Sequence, residues 1–158
     1  MLVILCAEEE EAKHINCKRA KVIVTGVGVV NIIKNLSKIP PKAKIINVGY
    51  AGSNQYAVGS VLSVSRVERL YKPSIINETA IDLIPCYTND LCYTVDDFLN
   101  TTVYMDIPLI DMELYYLAAR FPNIQSLKIV SDNMNLTQHR AADFEESWEL
   151  VNKILAHL

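Results

Sequence analysis

The chain has 158 residues, which is enough for one domain with a sizeable core and too few for two ordinary domains. We therefore predict a single domain over residues 1–158. Hydrophobic residues make up 51% of the chain and charged residues 21%, as is typical of a globular protein. The net charge of −3 argues against nucleic acid and anionic membranes as partners, and it favours a small molecule.

The cysteines and histidines show no metal-binding pattern. The four cysteines lack CxxC spacing, and the three histidines have no metal-like spacing, so we expect no metal, no cofactor and no disulfide framework. Reduced, buried thiols would suit a cytoplasmic protein. The apolar run at residues 2–6 has no basic residues before it and stops at four glutamates, so it predicts a first strand rather than a signal peptide. No segment approaches membrane-spanning length.

Apolar runs rich in β-branched residues predict buried strands, and helical periodicity predicts helices between and after them. Because strands and helices alternate, we predict an α/β fold with three layers, in which a mixed, largely parallel sheet lies between helices. The predicted strands are residues 2–6, 21–25, 44–48, 59–67, 91–95 and 127–130. The predicted apolar helix faces are Val29, Ile32, Ile33 and Leu36, and later Phe144, Trp148, Val151 and Leu155.

Two carboxylates stand in the apolar stretch at residues 109–119. From Leu114 onward this stretch is apolar on every side, which predicts burial. An ionised carboxylate is costly to bury without a partner, so we expect Asp111 and Glu113 either to be paired structurally or to await a polar ligand. On the residues alone, a helix N-terminus that carries acidic residues is the simpler interpretation.

Acidic and small residues also follow the predicted strands. The glutamates at 8–11 suit the first turn of a helix, yet one of them could be functional, because open α/β sheets bind ligands at the carboxyl ends of their strands. The Gly26-Val27-Gly28 turn lacks the third glycine of a dinucleotide-binding fingerprint, and the next strand does not end in an acid, so we reject that site.

Seven short motifs follow one another along nearly the whole chain. They are AEEEE at 7–11, TGVG at 25–28, IINVGYAG at 45–52, VG at 58–59, DFLN at 97–100, DME at 111–113 and SD at 131–132. In this order they resemble the nucleoside phosphorylase superfamily, and most closely its hydrolytic branch, the 5′-methylthioadenosine/S-adenosylhomocysteine nucleosidases. The pair formed by DME and the later SD is the most specific.

The resemblance implies an activity and two catalytic residues. It implies hydrolysis of the N-ribosidic bond of an adenine nucleoside, such as 5′-methylthioadenosine or S-adenosylhomocysteine, with release of the free base. By position in the motifs, Asp132 would protonate the purine ring, and Glu11 would orient the attacking water. This division between two carboxylates parallels glycoside hydrolysis in general.

The resemblance also implies residues that bind the substrate. Glu113 would hold the ribose hydroxyls, with Met112 packed against the sugar. Phe98 would stack on the purine, and the backbone at Leu99 would read the purine edge. The remaining two candidates are Ser131 and Tyr50.

The charged residues at the strand ends indicate whether water or phosphate is the nucleophile. A phosphorylase must hold a phosphate dianion, generally with arginines at the strand ends that face the ligand. Here the first strand is followed by four glutamates, and Asn47 stands where the phosphorylases that resemble this chain carry a basic residue. Water is therefore the expected nucleophile, and phosphorolytic cleavage is the alternative.

The chain departs from the nucleosidases in two respects. It is shorter than they usually are, with little between Glu11 and Lys21, and Tyr50 stands where they have a serine, so that it could fill part of the ribose or nucleophile pocket. These departures keep open a non-catalytic, nucleoside-binding protein. The resemblance further implies a homodimer, because a neighbouring subunit commonly completes the family pocket.

Overall fold

A computed structural model describes residues 1–70, 79–97, 105–134 and 143–158. The described residues form one sheet of eight strands together with four α-helices. The strands are β1 (Leu2–Cys6), β2 (Ala20–Val24), β3 (Lys44–Gly52), β4 (Val61–Arg69), β5 (Ile81–Asp82), β6 (Asn89–Thr94), β7 (Leu109–Asp111) and β8 (Gln125–Asp132). The helices are α1 (Glu9–His14), α2 (Val29–Asn35), α3 (Leu114–Arg120) and α4 (Glu145–His157), with a 3-10 helix at Leu36–Lys38.

The sheet is mixed, and part of it closes on itself. β2, β1, β3 and β8 are parallel neighbours in that order, and β8 runs antiparallel to β4. β4, β6 and β7 are again parallel, and β7 returns to β3 through the antiparallel pair Gly52 and Ile110. β3, β8, β4, β6 and β7 therefore form a closed, barrel-like ring of five strands. The α/β class and the mixed sheet are confirmed, whereas the ring was not predicted.

Helices cover both faces of the sheet, because alternate strand residues point to opposite sides. Val3 and Leu5 of β1 belong to a core that includes residues of α2 and α3, whereas Ile4 belongs to a second core that includes residues of α4. From the helices, the first core takes Ile32, Leu114, Leu117 and Ala118, and the second takes Trp148, Val151 and Leu155.

The prediction of a helix N-terminus with acidic residues is correct in part, because Glu113 is the N-cap of α3 and Asp111 precedes it. Leu109–Asp111 is the strand β7, and α3 begins only at Leu114. β5 was also not predicted. Strands of two or three residues carry no readable alternation, and they form only because a neighbouring strand offers hydrogen bonds.

The predicted apolar face of α2 is only partly correct. Ile32 is buried, but Ile33 is 63% exposed, and Val30 is exposed to a similar extent. The helix has seven residues, and Ile32 is its one buried residue. By contrast, all four residues of the apolar face predicted for the closing helix are buried. In the described segments, no helix combines the length and the apolar character that a membrane crossing requires.

Candidate functional site

Glu11 is held in a cage of backbone N–H groups. Its side chain is buried in α1, just after β1. Oε2 accepts hydrogen bonds from the N–H groups of Ala7 and Glu8, and Oε1 accepts one from Tyr50 in β3, each at 2.9 Å. A Cβ atom at Gly49 would lie 2.9 Å from Oε1, so only glycine leaves room for the carboxylate in this position.

The surroundings of Glu11 act on its proton affinity in opposite directions. Burial raises the pKa of its carboxyl above the ordinary 4.5, while the N–H bonds and the positive charge of Lys128 lower it. Glu11 also completes a capping box with Glu8 at the start of α1. The structural interpretation of this glutamate is therefore correct, and it is compatible with a chemical role.

Asp111 is paired structurally. Its Oδ2 accepts a 2.7 Å bond from Lys128 Nζ and a 3.0 Å bond from the N–H of Leu114. Its Oδ1 accepts a 2.6 Å bond from the hydroxyl of Thr94. The side chains of Asp111 and Lys128 are both almost completely buried.

Glu113, in contrast, is buried with one hydrogen bond. Its Oε1 accepts a 2.9 Å bond from the N–H of Gly28, which is the only hydrogen bond to this carboxylate from the described residues. Burial and, to a smaller extent, Asp111 raise the pKa of Glu113 to about 7, against the opposing charge of Lys128. A buried carboxylate with spare acceptor capacity can bind a ligand that offers hydroxyl groups.

The Gly26-Val27-Gly28 turn brings that N–H group into position. Both glycines have positive φ angles, +82° and +80°, in the region that side chains other than glycine rarely adopt. A Cβ atom at Gly26 would also lie 2.7 Å from Cβ of Asn31. The turn therefore depends on its glycines.

Asp132 and Ser131 lie at the carboxyl end of β8. Asp132 Oδ2 accepts a 2.8 Å bond from the Ser131 hydroxyl, and Oδ1 accepts a 2.8 Å bond from the N–H of Met134. Asp132 is partly exposed, whereas Ser131 is buried. Gly52 pairs with Asp132 on one side and with Ile110 on the other, so the end of β3 joins the end of β8 to β7.

Tyr50 reaches the site through its backbone. Its N–H donates to Glu11, but its ring packs against Phe144 and Trp148, with ring centroids 5.1 and 5.7 Å away. Its hydroxyl accepts a 3.0 Å bond from Trp148 Nε1. These contacts place the ring on the face of the sheet that α4 covers.

The remaining predicted residues are described less fully. Met112 is partly buried between Asp111 and Glu113. Phe98 and Leu99 lie outside the described residues. Over the described ranges, no group of three or more acidic, histidine or cysteine side chains is arranged to hold a metal ion.

Sequence reasoning missed Lys128, which lies near the carboxylates. Its charge acts on both Glu11 and Glu113, and its amine binds Asp111 directly. The sequence does indicate such a residue, because Lys128 interrupts the apolar run of the last predicted strand. A charged side chain that is buried there needs a partner of opposite charge. Asn47 is used inside the sheet, where it accepts from the Ser126 hydroxyl and donates to the Leu5 carbonyl.

No protein-family model matches the sequence, and no curated protein sequence matches it. Solved structures do match. A 5′-methylthioadenosine/S-adenosylhomocysteine nucleosidase from Helicobacter pylori is similar with a TM-score of 0.72 and 15% identity, over 99% of this chain and 96% of that chain. The nucleosidase (MTAN) of Chlamydia trachomatis bound to adenine has a TM-score of 0.71 and 16% identity, over 99% and 93%.

A third match is an aspartate-to-asparagine variant of the H. pylori nucleosidase with 5′-methylthioadenosine in its active site. It has a TM-score of 0.73 and 15% identity, over 99% of this chain and 96% of that chain. At such identities the similarity establishes the fold. The resemblance found in the motifs is thereby confirmed as a nucleosidase-like fold.

Proposed function

We propose that this protein hydrolyses the N-ribosidic bond of an adenine nucleoside, such as 5′-methylthioadenosine or S-adenosylhomocysteine, and releases the free base. The observation that carries the proposal is the pair of buried carboxylates, Glu11 and Glu113, within a nucleosidase-like fold. Nucleosidases of this fold bind 5′-methylthioadenosine and adenine.

The charges of the two glutamates suit the transition state. Breaking the N-ribosidic bond builds positive charge on the sugar and negative charge on the base. Glu113 accepts hydrogen bonds from the ribose hydroxyls with the acceptor capacity that Gly28 leaves free. Glu11, held still by three N–H groups, orients the water and takes its proton.

The departing base needs an acid, and we assign this role to Asp132. Its carboxyl group is oriented by the Ser131 hydroxyl and the N–H of Met134, which supports a fixed direction of proton transfer. Met112 packs against the sugar, Phe98 stacks on the purine, and the backbone at Leu99 reads its edge. Tyr50 contributes its N–H to Glu11.

Water remains the proposed nucleophile. Phosphate would have to approach Glu11 and Glu113, both of which repel an anion when they are ionised. The Lys128 amine is paired with Asp111, and the Asn47 side chain forms hydrogen bonds inside the sheet, so neither residue supports a phosphate site.

Chromatographic detection of free adenine tests the function. The purified protein is incubated with 5′-methylthioadenosine, with and without phosphate. Release of adenine without phosphate is the expected result. Release only with phosphate would make the protein a phosphorylase, and calorimetric binding without release would make it a non-catalytic nucleoside-binding protein.

Asp132→Asn tests the proposed acid. Because the amide cannot protonate the base, we expect turnover to fall by about 10²–10⁴-fold, with nucleoside binding retained. Single-turnover kinetics and calorimetry measure the two quantities. Asp82→Asn, at an exposed position of β5, is the matched control and should leave turnover near wild type. Unchanged turnover in Asp132→Asn would remove Asp132 from the mechanism.

Two further predictions from the sequence belong to this proposal, namely a homodimer and a cytoplasmic location. The exposed apolar residues Val30 and Ile33 on α2 are compatible with a subunit contact. Analytical ultracentrifugation would measure the mass of the particle in solution, and a monomer at working concentration would contradict the dimer.

A further inference from the structure

Lys128 is the only buried basic side chain in the part of the chain that the structure describes. It stands inside β8, with 1% of its surface exposed. A buried ammonium group is costly unless a carboxylate pairs with it, and Asp111 Oδ2 lies 2.7 Å from Nζ. The role proposed above for Glu11 and Glu113 leaves this ion pair without a function.

The ion pair organises the start of α3. Asp111 accepts the N–H of Leu114, and the Thr94 hydroxyl, which donates to Asp111, accepts the N–H of Tyr115. These N–H groups belong to the first turn of a helix, where they have no partner within the helix. Glu113 is the N-cap residue and makes no capping bond with its own side chain. Asp111 and Thr94 therefore supply the cap, and Lys128 holds Asp111 in place.

This arrangement leaves the Glu113 carboxylate available. A typical N-cap carboxylate would turn back to the first N–H groups of its own helix. Here Asp111 and Thr94 satisfy those groups, so Glu113 points away to the N–H of Gly28, just before α2, and keeps acceptor capacity for a ligand.

Lys128 also provides positive charge near two buried glutamates. The groups that act on Glu113 are Asp111 from β7, Lys128 from β8, Glu11 from α1 and the N–H of Gly28. Asp111 and Glu11 oppose the ionisation of Glu113, and Lys128 and Gly28 favour it. Lys128 also favours the ionised form of Glu11. Its loss would leave three buried carboxyl groups without a buried cation.

We propose that Lys128 is a positioning residue of the nucleoside site, which through Asp111 fixes the start of α3 and by its charge keeps Glu113 available as a carboxylate for ribose hydroxyls. This inference rests on the proposed function for the identity of the ligand. This role differs from that of a purely structural ion pair, because a structural pair can often be replaced by apolar residues without loss of stability.

Two substitutions with opposite effects test this role. Lys128→Met removes the cation and leaves Asp111 unopposed, so the midpoint of the Glu113 titration should rise by at least about one pH unit. Asp111→Asn removes the neighbouring negative charge, so the midpoint should fall. Carbon-13 NMR of the glutamate carboxyl groups measures both midpoints, with the Glu113 signal assigned by its absence in Glu113→Gln. Lys128→Arg should stay close to wild type, and Lys153→Met in α4 is the exposed control.

Binding provides a second readout. Adenosine carries the ribose hydroxyls and adenine does not, so the ratio of their dissociation constants isolates the contribution of the sugar. Both constants are measured in the Asp132→Asn background, in which the proposed cleavage of adenosine is slowed and binding is retained. In Lys128→Met we expect adenosine to bind at least tenfold more weakly at pH 7, with adenine changed less than threefold. Lys128→Arg should restore the ratio.

The outcomes separate this inference from the proposed function. A folded Lys128→Met with an unchanged Glu113 midpoint and an unchanged adenosine-to-adenine ratio would overturn the role of Lys128. If Lys128→Met does not fold, Asp111→Asn decides, and a midpoint that does not fall overturns the proposal. If the wild type binds neither compound, the proposed function fails, and the role toward a ribose fails with it. The NMR titration would still decide whether Lys128 controls the ionisation of Glu113.

Discussion

Glu113 couples folding to proton binding at the scale of a single residue. Its pKa of about 7 in the folded protein lies above the ordinary 4.5, so between these values the folded state binds a proton that the unfolded state has released. The Glu113 contribution is therefore fully present below about pH 4.5 and is lost as the pH rises to about 7. The difference corresponds to roughly 3 kcal/mol at 1.36 kcal/mol per pH unit.

Glu113→Gln should remove this dependence. Relative to wild type, the free energy of unfolding of Glu113→Gln should increase by about 2–3 kcal/mol as the pH is raised from 4.5 to 7, and then level off. Denaturant titrations at a series of pH values measure it, with the exposed Glu149→Gln as the control. Parallel pH curves for wild type and Glu113→Gln would show that the folded-state pKa is not raised.

Buried charged side chains were predicted only in part from the sequence. The sequence predicts that Asp111 and Glu113 are buried carboxylates that need a partner or a ligand. The structure has Asp111 paired with Lys128, and Glu113 with acceptor capacity left over. Lys128 stands between two apolar residues, and its burial was not predicted. The partner of a buried charge comes from another strand, so the pattern can predict that a partner exists but not which residue it is.

At the scale of elements, the close packing of α1 on β3 depends on Gly49. The Glu11 carboxylate occupies the space in which a side chain at position 49 would begin. Gly49→Ala should therefore displace the carboxylate and weaken its bond to the N–H of Tyr50. We expect a loss of about 1–2 kcal/mol in the free energy of unfolding and a fall in turnover.

A double-mutant cycle gives this prediction its control. In a Glu11→Ala background the space is empty, so Gly49→Ala should change the stability by less than about 0.5 kcal/mol. Urea denaturation of the four proteins measures the coupling. An equal cost in both backgrounds would mean that the alanine strains β3 itself and that Glu11 is not involved.

Long elements were predictable and short ones were not. The first strand was predicted with its observed ends, and the strand after Pro40-Pro41 was found, although it continues to Gly52. β7 has three residues and is defined by its pairing with β6 and β3. The local periodicity of the sequence carries no information about such pairing. The ring of five strands closes through β7, so the ring could not be predicted from local sequence patterns either.

At the scale of the whole molecule, β3 connects the open part of the sheet to the ring. It pairs with β1, β8 and β7, whereas β5 has two residues and pairs only with β4 among the described strands. Amides in β3 and β8 should therefore exchange slowest with solvent deuterium, close to the rate of global unfolding, and those of β5 much faster. Hydrogen-exchange mass spectrometry measures this order, and equal protection of β5 and β3 would contradict it.

The cage around Glu11 also bears on when a refolding chain would gain the proposed activity. Ala7 and Glu8 are close to Glu11 along the chain, but Tyr50 is 39 positions away. Its N–H reaches the carboxylate only after β1 and β3 have paired, so a chain with a complete α1 and an unpaired β3 lacks part of the cage around the base proposed above. After dilution from denaturant, the return of turnover would therefore time the pairing of these two strands rather than the formation of helices.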